Sequence, residues 1–274
     1  MTQQNSAFAG VIIDPLAGRS AKPRTAGQTM VIDKGLGLSQ TGDLLELGAG
    51  YIDFMKFGFG TAALYRSELL KAKIDLIRSY EVEPYPGGTF LEVAWLQGRL
   101  AEYLRVCDRL GFRLVEVSDG TITLTPAERQ AIIRAARDWG FAVITEIGKK
   151  DDEVDLDPIQ ALRQIRADLE AGATKVIVEG RESGKGVGIY DAAGKAKEDD
   201  LEIIVAGLES PDVLMWETPM KEQQQAMITR FGPNANLGNI APADVIALEA
   251  LRRGLRGDTL KLALTQPAVR GVTP

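Results

Sequence analysis

Carboxylates follow the short apolar runs of this sequence, and they are the residues best suited to chemistry. Glu116, Glu146 and Glu179 each come directly after such a run. Carboxylate oxygens from neighbouring strands suit a hard divalent cation, and Mg²⁺ is the first expectation. Asp33 and Glu217 end two further runs and are additional candidate ligands. The pattern therefore predicts a metal site built from several separate segments.

Basic residues stand close to these carboxylates in the sequence. Residues two apart on a strand share a face, so Glu146 and Lys150 would enter one cavity while Lys149 points away. An alternative without metal is an ion-pair ring in which Lys56, Lys150 and Arg181 neutralise the acids. We favour the metal, because clustered like charges need compensation and a divalent cation supplies it.

The glycine-rich segment 180–188 is a candidate anion-binding loop. It carries Arg181, Ser183 and Lys185 among its glycines. It differs from a Walker motif in its spacing, and Gly186 stands where serine or threonine should follow the lysine. Its amides and cations could bind an anion, and the alternative is a flexible loop without a ligand.

Other polar residues at the ends of apolar runs are further candidates for binding an anionic substrate. Lys34 and Lys56 follow the first two runs, and Asn236 and Asn239 lie in the last one. Loops after the final strands of a barrel often bind phosphate, which favours the segment 236–240.

Composition excludes several classes of protein. The 274 residues include no histidine, which rules out Ser-His-Asp chemistry and imidazole metal sites. The single cysteine, Cys107, rules out an internal disulfide and is spaced like a packed helix residue. A net charge of −6 disfavours binding to nucleic acid or to an anionic membrane. With neither an apolar run long enough to span a bilayer nor a secretory signal, we expect a cytoplasmic protein.

Apolar runs alternate with amphipathic helical patterns from Thr29 onward. The predicted strands are 30–35, 51–58, 82–88, 114–120, 142–150, 175–184, 213–219 and 234–241. The predicted helices include 91–110, 126–139, 157–171, 221–231 and a final one at 241–253. Such alternation is typical of parallel strands covered by helices.

Eight units of this size predict an α/β protein, a single (β/α)₈ TIM barrel. A doubly wound open sheet is the competing architecture, but no dinucleotide-binding glycine fingerprint follows the first strand. We assign 1–28 to an N-terminal arm, 29–264 to the barrel and 265–274 to a C-terminal tail. The carboxyl ends of barrel strands share one rim, so the charged strand ends are expected to form a single site.

Eight motifs occur in order along the chain. They are DKGL, YIDFMKFGFGT, YPGGT, EVSDG, TEIGKK, EGRESGKG, NLGNI and LRRGLRGDT. Together they resemble the phosphosulfolactate synthase family over about residues 23–259. The resemblance implies a TIM-barrel, Mg²⁺-dependent enzyme that adds sulfite to phosphoenolpyruvate, giving (2R)-2-O-phospho-3-sulfolactate for coenzyme M or a related sulfonate. It also implies that Lys150, the second lysine of GKK, donates a proton, and it makes Lys56, Arg181 and Lys185 candidates for binding phosphate and sulfite.

Two other functions stay open at this point. One is a different metal-dependent barrel enzyme acting on phosphoenolpyruvate or in an aldol-type reaction. The other is a non-catalytic relative of the heat-stress-associated kind, against which the presence of Glu146, Lys150 and Arg181 argues. The expected partners are small-molecule substrates rather than nucleic acid or membrane, and we expect a homo-oligomer because barrels commonly self-associate.

Overall fold

Strands and helices alternate along the whole described chain. The computed structural model describes residues 7–149, 156–181, 183–186 and 188–265. Within these residues the strands are β1 Thr29–Asp33, β2 Phe54–Phe57, β3 Glu83–Pro86, β4 Leu114–Val117, β5 Ala142–Ile147, β6 Lys175–Val178, β7 Leu214–Glu217 and β8 Leu237–Ile240. Each predicted strand is present, and each is shorter than its apolar run.

The strands form one parallel sheet that curves into a barrel. Hydrogen bonds connect them in the order β3-β2-β1-β8-β7-β6-β5-β4, and β3 and β4 at the two ends of this order lie in contact. The sheet is thus a nearly closed cylinder. This confirms the predicted (β/α)₈ barrel and excludes the open doubly wound sheet.

Helices cover the outside of the barrel. Their bounds in the described residues are α1 Leu38–Gly48, α2 Ser67–Ser79, α3 Gly88–Leu96, α4 Leu100–Leu110, α5 Pro126–Asp138, α6 Pro158–Ala171, α7 Glu198–Ala206, α8 Lys221–Phe231, α9 Val245–Arg252 and α10 Gly257–Thr265. Among them, no helix is both long enough and apolar enough to cross a bilayer.

Two predictions for the helices were wrong. The stretch 91–110 contains two helices, α3 and α4, because the chain turns at Gly98, whose φ of 67° lies in the left-handed region that glycine adopts readily. The helix at 241–253 is not the last one, since α10 follows it.

Helix starts follow the local sequence closely. Thr125 caps α5 by accepting a hydrogen bond from the Glu128 amide, and the Glu128 carboxylate accepts one from the Thr125 amide in return. Asp157 caps α6 through the amides of Ile159 and Gln160. These caps fix where the helices leave the rim of the barrel.

The barrel interior is filled by a layer of apolar side chains, called here the interior apolar layer. Its members are Met30, Tyr85, Leu114, Ile144, Ile177 and Met215, and all are buried. Residues between them in the strands, such as Val115 and Val143, face the helices instead. The two faces of each strand are therefore buried against different partners, as expected for a barrel.

The N-terminal segment before β1 packs against the end of the barrel where the strands begin. Arg19 is paired with Glu249 at 3.0 Å, and Arg24 with Asp53 at 2.8 Å. Leu16 is buried and its amide donates to the carbonyl of Arg253. Between Leu16 and Thr29 the segment thus closes the barrel opposite the rim that carries the charged strand ends.

Candidate active site

Four buried glutamates form a layer directly above the interior apolar layer. Each stands two residues after one of its members, in the pairs Leu114 and Glu116, Ile144 and Glu146, Ile177 and Glu179, and Met215 and Glu217. Each glutamate is at most 1% exposed. Because the strand period of two returns to the same face, the sequence pattern delivers all four carboxylates to the carboxyl end of the barrel interior. We call them the glutamate cluster.

Lys56, two residues after Phe54 in β2, enters the same layer from the opposite wall. Its Nζ lies 3.0 Å from Glu116 Oε2, 2.9 Å from Glu146 Oε2 and 3.5 Å from Glu217 Oε1. Burial disfavours the ammonium, but these carboxylates, Glu116 foremost, outweigh burial and raise the pKa of Lys56 well above its usual value. One ammonium against four carboxylates leaves the cluster negative when the acids are ionised.

Three members of the cluster are placed to share a cation. One carboxylate oxygen from each of Glu146, Glu179 and Glu217 lies within 4.8 Å of the others, and all three residues are buried. Hard oxygen donors at this separation fit a divalent cation. The three residues could hold a metal ion, and their grouping differs from the predicted one: Glu217 joins Glu146 and Glu179, and Glu116 does not.

Glu116 is held by the start of α3 instead. Its Oε1 accepts a hydrogen bond of 2.7 Å from the Gly88 amide, while its Oε2 faces Lys56. A Cβ at residue 88 would lie 2.8 Å from Glu116 Oε1, so only glycine permits this approach. The two glycines of the YPGGT motif thereby bring a helix start against the cluster.

A cavity of about 900 Å³ opens above the glutamate cluster. Lys56 and the three cation-site glutamates line it together with Ile32, Gly58, Phe59, Gly87, Gly88, Thr89, Thr121, Arg181, Ser183 and Asn239. The Arg181 amide donates to Glu179 Oε1 at 2.6 Å, and Arg181 itself has a φ of 57°. Asn239 also has a positive φ, 55°, and its buried Oδ1 accepts no hydrogen bond in the described residues. Four predicted substrate-binding residues thus reach one cavity: Lys56, Arg181, Ser183 and Asn239.

Other predicted site residues lie elsewhere. Lys34 and Lys185 are exposed and do not line the cavity in the described part of the chain. Asn236 precedes β8 at the opposite end of the barrel, where its side chain accepts from the Gln28 amide and donates to the Leu214 carbonyl. We assign Asn236 a structural role, because both the oxygen and the nitrogen of its side-chain amide form hydrogen bonds there.

Asp33 belongs to a separate buried pair rather than to the cation site. Its Oδ2 lies 2.5 Å from Nζ of Lys73 on α2, and both side chains are buried. Its Oδ1 accepts from the amides of Gly35 and Leu36 and so shapes the loop after β1. Lys150, the predicted proton donor, lies outside the described residues. Its neighbour Lys149 points away from the cavity, as predicted, and donates to the carbonyls of Asp119 and Ile122.

Buried polar residues that support the rim were not predicted. Arg129 donates to the main-chain carbonyl of Glu146 at 2.9 Å and pairs with Asp168 at 2.7 Å. Glu92 accepts from Ser118 Oγ and from the amides of Thr121 and Ile122, and so holds the loop after β4. The sequence does mark such residues, because each is a charged residue on the apolar face of an amphipathic helix. The spacing of residues does not reveal which group each of them binds.

Gln223 supports the glycine-rich loop in the same way. Its Nε2 donates to the carbonyls of Gly184 and Gly194, and its Oε1 accepts from the Met220 amide. Gly184 approaches so closely that a Cβ there would lie 2.7 Å from the Gln223 side chain. The described part of this segment is therefore a braced loop rather than an unconstrained one.

Comparison with known proteins finds a family and relatives that match most of this chain. The family model described as (2R)-phospho-3-sulfolactate synthase (ComA) matches residues 17–258. The chain is 48% identical to a phosphosulfolactate synthase of Methanothermobacter thermautotrophicus, over 88% of this chain and 94% of that protein. It is 46% identical to a phosphosulfolactate synthase of Methanocaldococcus jannaschii, over 85% of this chain and 93% of that protein.

The barrel itself is similar to solved structures with other activities. A 3-hexulose-6-phosphate synthase from Salmonella typhimurium superposes with a TM-score of 0.55 at 18% identity, covering 86% of this chain and 98% of that one. This likeness concerns the fold alone. The family match and the two relatives establish more: the chain belongs to the (2R)-phospho-3-sulfolactate synthase family.

Proposed function

We propose that this protein is a phosphosulfolactate synthase that adds sulfite to phosphoenolpyruvate and forms (2R)-2-O-phospho-3-sulfolactate. The observation that carries the proposal is the convergence of the glutamate cluster and Lys56 beneath one cavity, in a chain that matches the family over 17–258. In the reaction the sulfite sulfur bonds to the methylene carbon, the double-bond electrons move into the carboxylate, and a proton adds to the phosphate-bearing carbon.

Charge repulsion is the main obstacle to this reaction. Two unit charges about 4 Å apart repel by roughly 4 kcal/mol at an effective dielectric constant of 20. Phosphoenolpyruvate near −3 and sulfite near −2 make about six such pairs, so up to roughly 25 kcal/mol opposes their approach. The glutamate cluster adds more negative charge beneath them. A cation at the cluster and basic groups at the cavity mouth are therefore required.

Glu146, Glu179 and Glu217 are the residues that would hold Mg²⁺. Bound there, the ion would supply Lewis-acid stabilisation of negative charge on the substrate carboxylate. We assign Lys56 a different task from the anion binding that the sequence predicts, because its ammonium is enclosed by carboxylates on several sides. It keeps the acids at a fixed separation and offsets part of their charge.

The remaining roles fall to residues at the rim. Arg181, with Ser183 and Asn239 beside the same cavity, would bind the phosphate and sulfite oxygens. Lys150 would give the proton to the phosphate-bearing carbon, a role that rests on the family motif. Lys34 and Lys185, exposed as they are, would serve at most to attract the anions from solution.

The test is to incubate the purified protein with phosphoenolpyruvate, sulfite and Mg²⁺ and to follow the vinyl protons by NMR. We expect them to disappear only when sulfite is present, with a new methylene signal next to sulfur. Loss of the vinyl protons without sulfite would indicate another phosphoenolpyruvate reaction instead. Unchanged phosphoenolpyruvate, together with no binding by calorimetry, would indicate a non-catalytic relative.

A further inference from the structure

Phe59 is an unusual residue for its position at the cavity mouth. It lies two residues after the end of β2 and three residues beyond Lys56, and it lines the cavity although 58% of it is exposed. In the described lining, Phe59 and Ile32 are the large apolar side chains, and Ile32 is buried. Packing in the core therefore does not account for the aromatic ring.

The backbone at Phe59 is strained. Its φ is 56°, in the left-handed region that a bulky aromatic residue rarely adopts. The turn is fixed from both sides: the Gly58 amide donates to the Asp33 carbonyl, and the amide and hydroxyl of Thr61 donate to the Gly58 carbonyl. A glycine or an asparagine would occupy this conformation at lower cost. Holding the Phe59 ring at the cavity mouth therefore requires an unfavourable backbone conformation.

The proposed reaction gives such a ring a purpose. The methylene group is the apolar end of phosphoenolpyruvate, and it is the carbon that sulfite attacks. Apart from Phe59, the large apolar side chain of the described lining is Ile32, which is buried, so Phe59 is the side chain at the mouth that could shield that carbon from water. Excluding water strengthens every charge interaction at the reacting atoms.

We propose that Phe59 is a specificity-determining residue that covers the methylene carbon of the bound enol substrate and keeps water from it. The inference rests on the proposed function, since it assigns Phe59 a contact with that substrate. The ring contributes an apolar surface and takes no part in proton transfer.

A matched pair of substitutions separates the apolar surface from the backbone strain. Phe59→Leu keeps an apolar side chain in the strained conformation, whereas Phe59→Asn relieves the strain but is polar. We expect kcat/KM for phosphoenolpyruvate at saturating sulfite to be at least about tenfold lower in Phe59→Asn than in Phe59→Leu. We also expect Phe59→Asn to melt at or above the temperature of the unsubstituted protein.

A smaller difference in kcat/KM between the two variants, or a more active Phe59→Asn, would overturn the inference. If either variant melts below the unsubstituted protein by more than a few degrees, Phe59→Met and Phe59→Gln replace the pair under the same criterion. Sulfite-dependent turnover by the unsubstituted protein is measured in parallel. Its absence would refute the proposed function itself, whereas its presence with equal variants would refute only the role of Phe59.

Discussion

Nζ of Lys56 lies 2.9 Å from Oε2 of Glu146, a glutamate that also belongs to the candidate cation site. The same carboxylate group thus faces a permanent internal cation on one side and the proposed divalent ion on the other. Lys56 is almost wholly buried and is bound to β2, so it cannot leave when a metal arrives. We therefore expect stability and metal binding to be coupled through this one side chain.

Replacing Lys56 with methionine should expose that coupling. The substitution leaves buried carboxylates without their ammonium partner, which typically costs about 3–5 kcal/mol of unfolding free energy. Added Mg²⁺ should recover part of the loss, because ligand binding to the folded state alone stabilises it. Thermal unfolding with and without Mg²⁺ measures both effects, and the Mg²⁺-induced rise in Tm should be larger for Lys56→Met than for the unsubstituted protein.

Lys71→Met is the matched control for this experiment. Lys71 forms an exposed pair with Asp75, with side chains 52% and 57% exposed, and such pairs contribute about 1 kcal/mol or less. An equal Mg²⁺ response in all three proteins would show that Lys56 and the ion do not share the glutamate cluster.

Two glutamates of the cluster should differ in their effect on metal binding. Glu217→Gln removes a carboxylate from the candidate cation site, whereas Glu116→Gln alters a residue held by Lys56 and Gly88. We expect Glu217→Gln to weaken Mg²⁺ binding at least about tenfold and Glu116→Gln to weaken it much less. Calorimetric titration of each variant gives the comparison. If Glu116→Gln weakened Mg²⁺ binding more than Glu217→Gln, Glu116 rather than Glu217 would be a metal ligand.

Lys150 should prove essential for turnover but not for folding. A positioned general acid contributes about 10²–10⁴ in rate, so Lys150→Ala should lower kcat by that range while circular dichroism stays unchanged. Lys149→Met is the neighbouring control, since Lys149 binds the Asp119 and Ile122 carbonyls away from the cavity. If the two variants lose activity equally, the loss comes from a disturbed loop after β5 and not from a missing proton donor.

Much of the site can be predicted from the sequence, because the face on which a strand residue lies depends only on its neighbours in the chain. Glu116, Glu146 and Glu179 share the barrel interior for the same reason that Leu114, Ile144 and Ile177 do: each pair is two residues apart. A two-residue period cannot decide which carboxylates are nearest in space. That choice depends on barrel curvature and on local contacts, such as the Gly88 amide that binds Glu116.

The residues placed incorrectly from sequence depend on an exact strand boundary or on a distant partner. Asn236 was assigned to the rim from its position in an apolar run, but β8 begins after it, at Leu237, and this puts Asn236 at the other end of the barrel. Asp33 ends β1 as expected, yet its partner Lys73 comes from α2, far along the chain. No spacing rule links such pairs, so only the packed structure reveals them.

Arg129 and Asp168 offer a test of how the rim is supported. Arg129→Met would leave Asp168 buried without its guanidinium and remove the hydrogen bond to the Glu146 carbonyl, at an expected cost of about 3–5 kcal/mol. The double variant Arg129→Met, Asp168→Met should be more stable than Arg129→Met alone, because no buried charge is left unpaired. Urea unfolding of both variants and of Asp168→Met completes the cycle. Additive losses would mean that the two side chains act independently.

The burial of Cys107 should make the protein less stable as the pH becomes alkaline. Burial raises the pKa of its thiol from 9.0 to about 12. Between these values the unfolded chain has lost the thiol proton while the folded chain retains it, so stability falls as pH rises, by up to about 1.4 kcal/mol per pH unit. Comparison with Cys107→Ala cancels the other groups that titrate there: its stability relative to the unsubstituted protein should be constant below pH 8 and should improve steadily from pH 9 to 11. A constant difference across that range in urea unfolding would mean that the thiol ionises in the folded protein as easily as in water.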